Sequence, residues 1–133
     1  MTPDTEKNNT ARQKLTLWLD RKSNLDETCV VHQALNLLAS KWLLLILLAL
    51  MQRPKRNSEL QRQIQGVSPK MLSQSLRQLE AHGLIHRQVF AEVPPRVEYS
   101  LTSLGASVAP LLAELCEWSF AWEASGKLTP VEP

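Results

Sequence analysis

The 133-residue chain is poor in glycine, cysteine and phenol-bearing or phenyl side chains: four Gly, two Cys, one Tyr and two Phe. Four glycines standing singly leave no Gly-rich loop to cradle a phosphate, which sets aside nucleotide chemistry of that kind. Cys29 and Cys116 lie far apart and make no short metal-binding pair. His82 and His86 have the spacing of two ligands on one helix face, but Gly83 between them ends the helix, and His32 is alone. No nucleophile–base arrangement is visible, so the chain reads as a non-enzyme with no cofactor and no metal. The longest apolar run, Trp42–Met51, is ten residues, well short of the roughly 20 that cross a bilayer, so no membrane partner is expected. No secretory pattern opens the sequence, and free thiols in the cytoplasm are the expectation.

What is present describes a globular domain: 44% hydrophobic and 21% charged residues in a chain long enough to bury a core. The net charge of +2 is unevenly spread. Residues 53–96 hold eight basic side chains (Arg53, Lys55, Arg56, Arg62, Lys70, Arg77, Arg87, Arg96) against three acidic ones, and residues 97–133 hold one against five. A positive middle flanked by an acidic end suits a polyanionic partner for the middle alone.

The basic stretch surrounds a well-marked helix, Ser68–Gly83. Ser68 is a good N-cap, Pro69 suits the first helical position, and Gly83 can supply the left-handed terminating residue. Leu72, Leu76 and Leu79 recur at i, i+4 and i+7, which buries one face. Lys70, Gln74, Arg77 and Ala81 fall opposite, flanked by Ser73 and Gln78. Such a face matches the acceptors of a DNA major groove, although an ordinary solvated helix face has the same composition.

The setting separates the two readings. Ala11–Lys22 is predicted helical, following a polar, frayed start over residues 1–10 and broken by Ser23-Asn24-Leu25-Asp26. Val30–Ala39 is a helix with Val31, Ala34, Leu35 and Leu38 inward. Lys41–Met51, capped by Ser40, is apolar nearly all round and therefore central to a core. After a basic turn, Asn57 or Ser58 caps a short helix, Glu59–Gln65. Gly66-Val67 then turns into Ser68, which makes a helix-turn-helix pattern. Beyond Gly83, Leu84–Glu92 is extended and Val97–Leu101 alternates cleanly. Val93-Pro94-Pro95-Arg96 forms a stiff loop between them, with Arg96 at its tip. Helix-turn-helix followed by a hairpin is the winged-helix order. Thr102 caps a last helix to about Gly126. Leu104, Val108, Leu111, Leu115, Trp118 and Trp122 form its heptad-like seam, and Pro110 predicts a kink or restart. That seam is more apolar surface than one small domain covers, which points to a homodimer.

These residues resemble the HxlR-type winged-helix transcriptional regulators of bacteria and archaea. The resemblance runs over about residues 29–120. It rests on Cys29, Lys41-Trp42 with the Leu-rich run after it, Glu59-Leu60, Gly66-Val67-Ser68-Pro69-Lys70-Met71-Leu72 and Leu76-Arg77-Gln78-Leu79-Glu80. Most specific is Glu92-Val93-Pro94-Pro95-Arg96-Val97-Glu98-Tyr99-Ser100-Leu101-Thr102, with Gly105 and Cys116-Glu117-Trp118 after it. Asn57 stands where the family often has Phe, and Ala39-Ser40 where it often has Gly-Gly.

The resemblance implies a mainly α fold with a small β-hairpin wing, a winged helix-turn-helix with N- and C-terminal dimerisation helices. The expected division is an arm (1–28), a winged-helix DNA-binding domain (29–102), a dimerisation helix (103–126) and a tail (127–133). The implied function is that of a homodimer that binds double-stranded DNA at a pseudo-palindromic operator and represses or activates a promoter. DNA-contact candidates are Ser68, Lys70, Met71, Ser73, Gln74 and Arg77, with Arg96 on the wing and Lys55 and Arg56 on the basic turn. Interface candidates are Leu15, Trp18, Leu111, Leu115, Trp118 and Trp122. Some family members sense oxidants through a cysteine at the position of Cys29; a small packing side chain is the plainer role for that thiol. The competing reading of the whole is a winged helix used only for protein–protein association.

Overall fold

The computed structural model describes residues 5–21, 25–26 and 29–128. The chain divides into two compact units, residues 30–110 and residues 1–29 with 111–133.

In the first unit the most apolar segment becomes the centre. Helix α3 (Lys41–Leu50) buries Leu43, Ile46, Leu47, Ala49 and Leu50, and α5 (Pro69–Ala81) adds Leu72, Leu76 and Leu79 to the same cluster. Leu60 of α4 (Asn57–Gln63), together with Ile64, Val67, Leu84 and Ile85, completes it. Helix α2 (Val30–Leu38) departs from expectation. Of the residues read as inward, Leu38 packs on the core, but Val31 and Leu35 are 53% and 60% exposed and Ala34 is exposed too, while Leu37 packs beside Leu38. The helix is apolar on two sides, so its pattern alone does not choose a face. Because α2 meets α3 at 78°, only its C-terminal end reaches the core. No single helix among the described residues is long and apolar enough to cross a membrane.

Helix α4 starts one residue earlier than its hydroxyl and amide residues suggest. Arg56 is the N-cap, and its backbone N–H donates to Glu59 Oε1 at 3.1 Å. The cause lies just before it. Lys55 is held extended by a pair of backbone hydrogen bonds with Tyr99 (2.9 and 2.8 Å), so the chain turns helical as soon as that pairing ends. Ser68 does cap α5, its Oγ accepting from the Met71 N–H at 3.1 Å. Gly83, at φ +74°, lets the chain leave the helix in a left-handed turn.

The wing is an antiparallel pair, β1 (Ile85–Phe90) and β2 (Arg96–Leu101), in register from Ile85 opposite Leu101 to Phe90 opposite Arg96. Arg96 therefore opens β2, where expectation put it at the loop tip. Thr102 ties the base of the wing to the end of α5. Its hydroxyl donates to the Gly83 carbonyl at 2.6 Å and accepts from the Gly105 N–H at 3.0 Å, capping α6 (Ser103–Ala106). The restart expected from Pro110 is present: a break at Ser107 and Val108 precedes α7 (Ala109–Ala124).

In the second unit α1 runs from Thr5 to Arg21 and buries no residue; it begins six positions before Ala11, within the stretch expected to fray. An exposed ion pair joins Lys7 of α1 to Glu114 of α7. Of the expected break, Leu25 and Asp26 are non-helical, while Ser23 and Asn24 and the tail beyond residue 128 lie outside the described residues.

Gly105 has no room for a side chain, since an added Cβ would stand 2.0 Å from the Leu84 carbonyl oxygen. Gly105→Ala is therefore expected to destabilise the fold by about 2 kcal/mol or more, read as a lower thermal unfolding midpoint. An unchanged midpoint would mean that α6 shifts freely away from β1.

Candidate nucleic-acid interface

Once Leu72, Leu76 and Leu79 face inward, the helical period turns Lys70, Met71, Ser73, Gln74 and Arg77 to solvent together. Ser75 is buried as well, a small residue where α5 lies close to its neighbours. The Ser68 oxygen is occupied as an acceptor by the helix cap, which leaves its hydroxyl proton to donate outward.

A groove of about 340 Å³ runs between α5 and the wing, lined by Ser73, Arg77, Glu80, Arg87 and Tyr99. Arg87 was counted in the basic stretch but not among the contact candidates. Strand register brings it there, because Arg87 pairs opposite Tyr99 on the face of the hairpin that carries Ile85 and Leu101. A period-2 reading of Leu84–Glu92 could have found it, had the imperfect alternation of that strand not hidden the face.

The basic turn behaves differently from its charge count. Lys55 is only 4% exposed, and its ammonium donates to Gln52 Oε1 at 2.5 Å and to Gln63 Oε1. A phosphate contact from Lys55 is corrected accordingly: its backbone pairing with Tyr99 draws the side chain inward, where two amides hold it. Arg53 donates to Glu59 Oε2 at 2.6 Å. Arg56 is exposed and forms no ion pair among the described residues. On the wing, Arg96 lies over the Phe90 ring at 4.1 Å and within 3.3 Å of Glu92 and 3.8 Å of Glu98.

Residues 37–127 match the HxlR-like helix-turn-helix family. The chain belongs to this family. It is 48% identical over 91 residues to YkvN of Bacillus subtilis, described as an uncharacterized HTH-type transcriptional regulator, covering 68% of this chain and 77% of that one. A solved structure from Porphyromonas gingivalis W83, described as a MarR-family transcriptional regulator, is similar with a TM-score of 0.68 and 42% identity, covering 74% of this chain and 97% of that one. The reduced form of the redox regulator HypR is similar with a TM-score of 0.68 and 34% identity, covering 71% and 94%. As an HxlR-type winged helix the chain is a DNA-binding transcriptional regulator, and α4, the turn at Gly66 and α5 are its helix-turn-helix.

The remaining candidates of this HxlR chain lie in its second unit. Leu15, Leu111, Leu115, Trp118 and Trp122 are exposed and Trp18 is half-buried. The Trp118 and Trp122 rings meet tilted at 42°, 5.1 Å between centroids. Cys29 is half-buried, its N–H bonded to the Asp26 carbonyl at 3.1 Å, and Cys116 is exposed.

The Glu59 carboxylate accepts from the Arg53 guanidinium and from the Arg56 N–H, and these bonds hold its pKa near 2, against an ordinary 4.5. Because the folded value is depressed, the stabilisation is complete above the ordinary value and disappears as pH falls from about 4.5 toward about 2. Thermal unfolding followed across that range should show Glu59→Gln losing less stability on acidification than the parent. Parallel curves would leave the carboxylate without a role in holding α4.

Proposed function

We propose that this regulator acts in the cytoplasm as a homodimer on a pseudo-palindromic duplex operator, each subunit laying α5 in a major groove. The observation that carries this is the exposed face of Lys70, Ser73, Gln74 and Arg77 beside a groove where Arg77 and Arg87 outnumber the single acid, Glu80. Arg77 and Lys70 suit guanine edges or phosphates, Gln74 suits adenine, and Ser68, Arg56 and Arg87 suit phosphates. Met71, exposed on the first turn of α5, suits an apolar base contact such as a thymine methyl.

The exposed apolar faces of α1 and α7 support a second copy of the chain as the partner that covers them. Two recognition helices then read two half-sites at a spacing set by the dimer. HypR is named as a redox regulator; for this chain we assign Cys29 a packing role.

Arg77→Ala and Lys70→Ala should each weaken duplex binding by about 1–3 kcal/mol, measured by fluorescence anisotropy, with folding unchanged. The logarithm of the parent's affinity should fall linearly with the logarithm of salt concentration, as counterion release requires. Unchanged affinity in both variants would remove α5 from the interface. A folded dimer with no sequence-preferring duplex binding at moderate salt would favour the protein–protein reading.

Sedimentation should show a dimer that Trp118→Glu dissociates. The dimer and its duplex affinity should be the same after mild oxidation and in Cys29→Ser; an oxidant response lost in Cys29→Ser would make that thiol a sensor.

A further inference from the structure

Arg96 offers the wing's most obvious positive charge, yet the structure has already used it. Its guanidinium carbon lies over the ring of Phe90, the residue opposite it in the hairpin, 4.1 Å from the centroid. Its Nη2 is 3.3 Å from Glu92 Oε1 and its Nη1 is 3.8 Å from Glu98 Oε1. Its Nε is buried and has no hydrogen-bond partner. The side chain is 28% exposed. One cation thus faces two carboxylates, whose charge opposes the approach of a phosphate.

We propose that Arg96 is a positioning residue of the wing, not a phosphate contact; the proposal deepens the DNA-binding reading and rests on it for its second test. The Glu92–Arg96 pair spans the loop Val93-Pro94-Pro95, and the stack on Phe90 fixes the strand end from which that loop springs. A single exposed ion pair would hold little. Here the pair, a second carboxylate and an aromatic face converge on one planar group. The geometry suits arginine specifically, because a lysine ammonium keeps the charge but loses the flat face and the fork. The tip so held carries a fully exposed Val93 and two prolines beside Glu92, which is paired with Arg96, and no basic side chain stands on residues 91–95. A tip of that kind contributes shape and apolar contact in a groove and releases no counterion.

Two measurements test this. In the free protein, amide hydrogen exchange over residues 89–97 should be about tenfold faster in both Arg96→Ala and Arg96→Lys than in the parent. Exchange rates equal to the parent's would overturn the clamp, and this arm needs no DNA. On a duplex that the parent binds, both variants should lose affinity alike while keeping the parent's salt slope. An Arg96→Lys affinity near the parent's, with an Arg96→Ala slope lower by about one, is the signature of a phosphate contact and would equally overturn the proposal. If the parent prefers no duplex sequence, the DNA reading fails while the exchange result still decides the clamp.

Discussion

Everything outward on the DNA-binding unit depends on the burial of one helix face. Leu72, Leu76 and Leu79 share a cluster with Leu43, Ile46, Leu47 and Leu50 of α3, nearly all withdrawn from solvent. Burying a leucine contributes about 1.5–3 kcal/mol, so three of them on one face fix the rotation of α5 about its axis. A turn of one residue would carry a leucine out and a polar side chain in. The surface made by Lys70, Ser73, Gln74 and Arg77 is the geometric complement of that constraint. Thr102 extends it to the wing, since its hydroxyl joins the end of α5 to the start of α6 across the base of the hairpin.

Charge is arranged with similar economy. The basic stretch supplies the field a polyanion would feel, but three of its eight cations serve the protein itself. Arg53 is bound to Glu59, Lys55 lies between two glutamine amides, and Arg96 stands between two glutamates over an aromatic ring. Arg56, Arg62, Lys70, Arg77 and Arg87 remain exposed and form no ion pair among the described residues; Arg56 caps α4 and the others stand on α4, α5 and β1, the elements of the helix-turn-helix and the wing. Membership of the HxlR-like family gives that arrangement its meaning as the DNA-binding part of a transcriptional regulator. The second unit has a different character: α1 buries nothing, and the face of α7 carries exposed Leu111, Leu115, Trp118 and Trp122.

Much of this was legible in the chain because local signals agreed with one another. Ser68 and Pro69 mark the start of α5, Gly83 its end, and the leucine period its inner face, and each sign rests on interactions within a few residues. Pro110 announces the restart of the last helix for the same reason. The wing motif carries the family resemblance through a run of adjacent residues. Where local signals were ambiguous, the reading failed. Helix α2 is apolar on two sides, and the angle at which it meets α3 decides that Leu37 joins the expected Leu38 at the core while Val31 and Leu35 stay out. The cap of α4 falls on Arg56 because Tyr99, distant in sequence, holds Lys55 extended.

The sequence by itself determined the order of elements, the buried face of α5 and the family, since these depend on period, capping and contiguous motif. Only the tertiary structure decided which basic residues are available to a partner. A cation's availability depends on what stands within a few ångströms of it, and for Lys55, Arg87 and Arg96 those neighbours come from strand pairing and register. Lys55 is drawn inward beside Tyr99, Arg87 is brought to the groove by its register opposite Tyr99 in the hairpin, and Arg96 meets Phe90 across the hairpin.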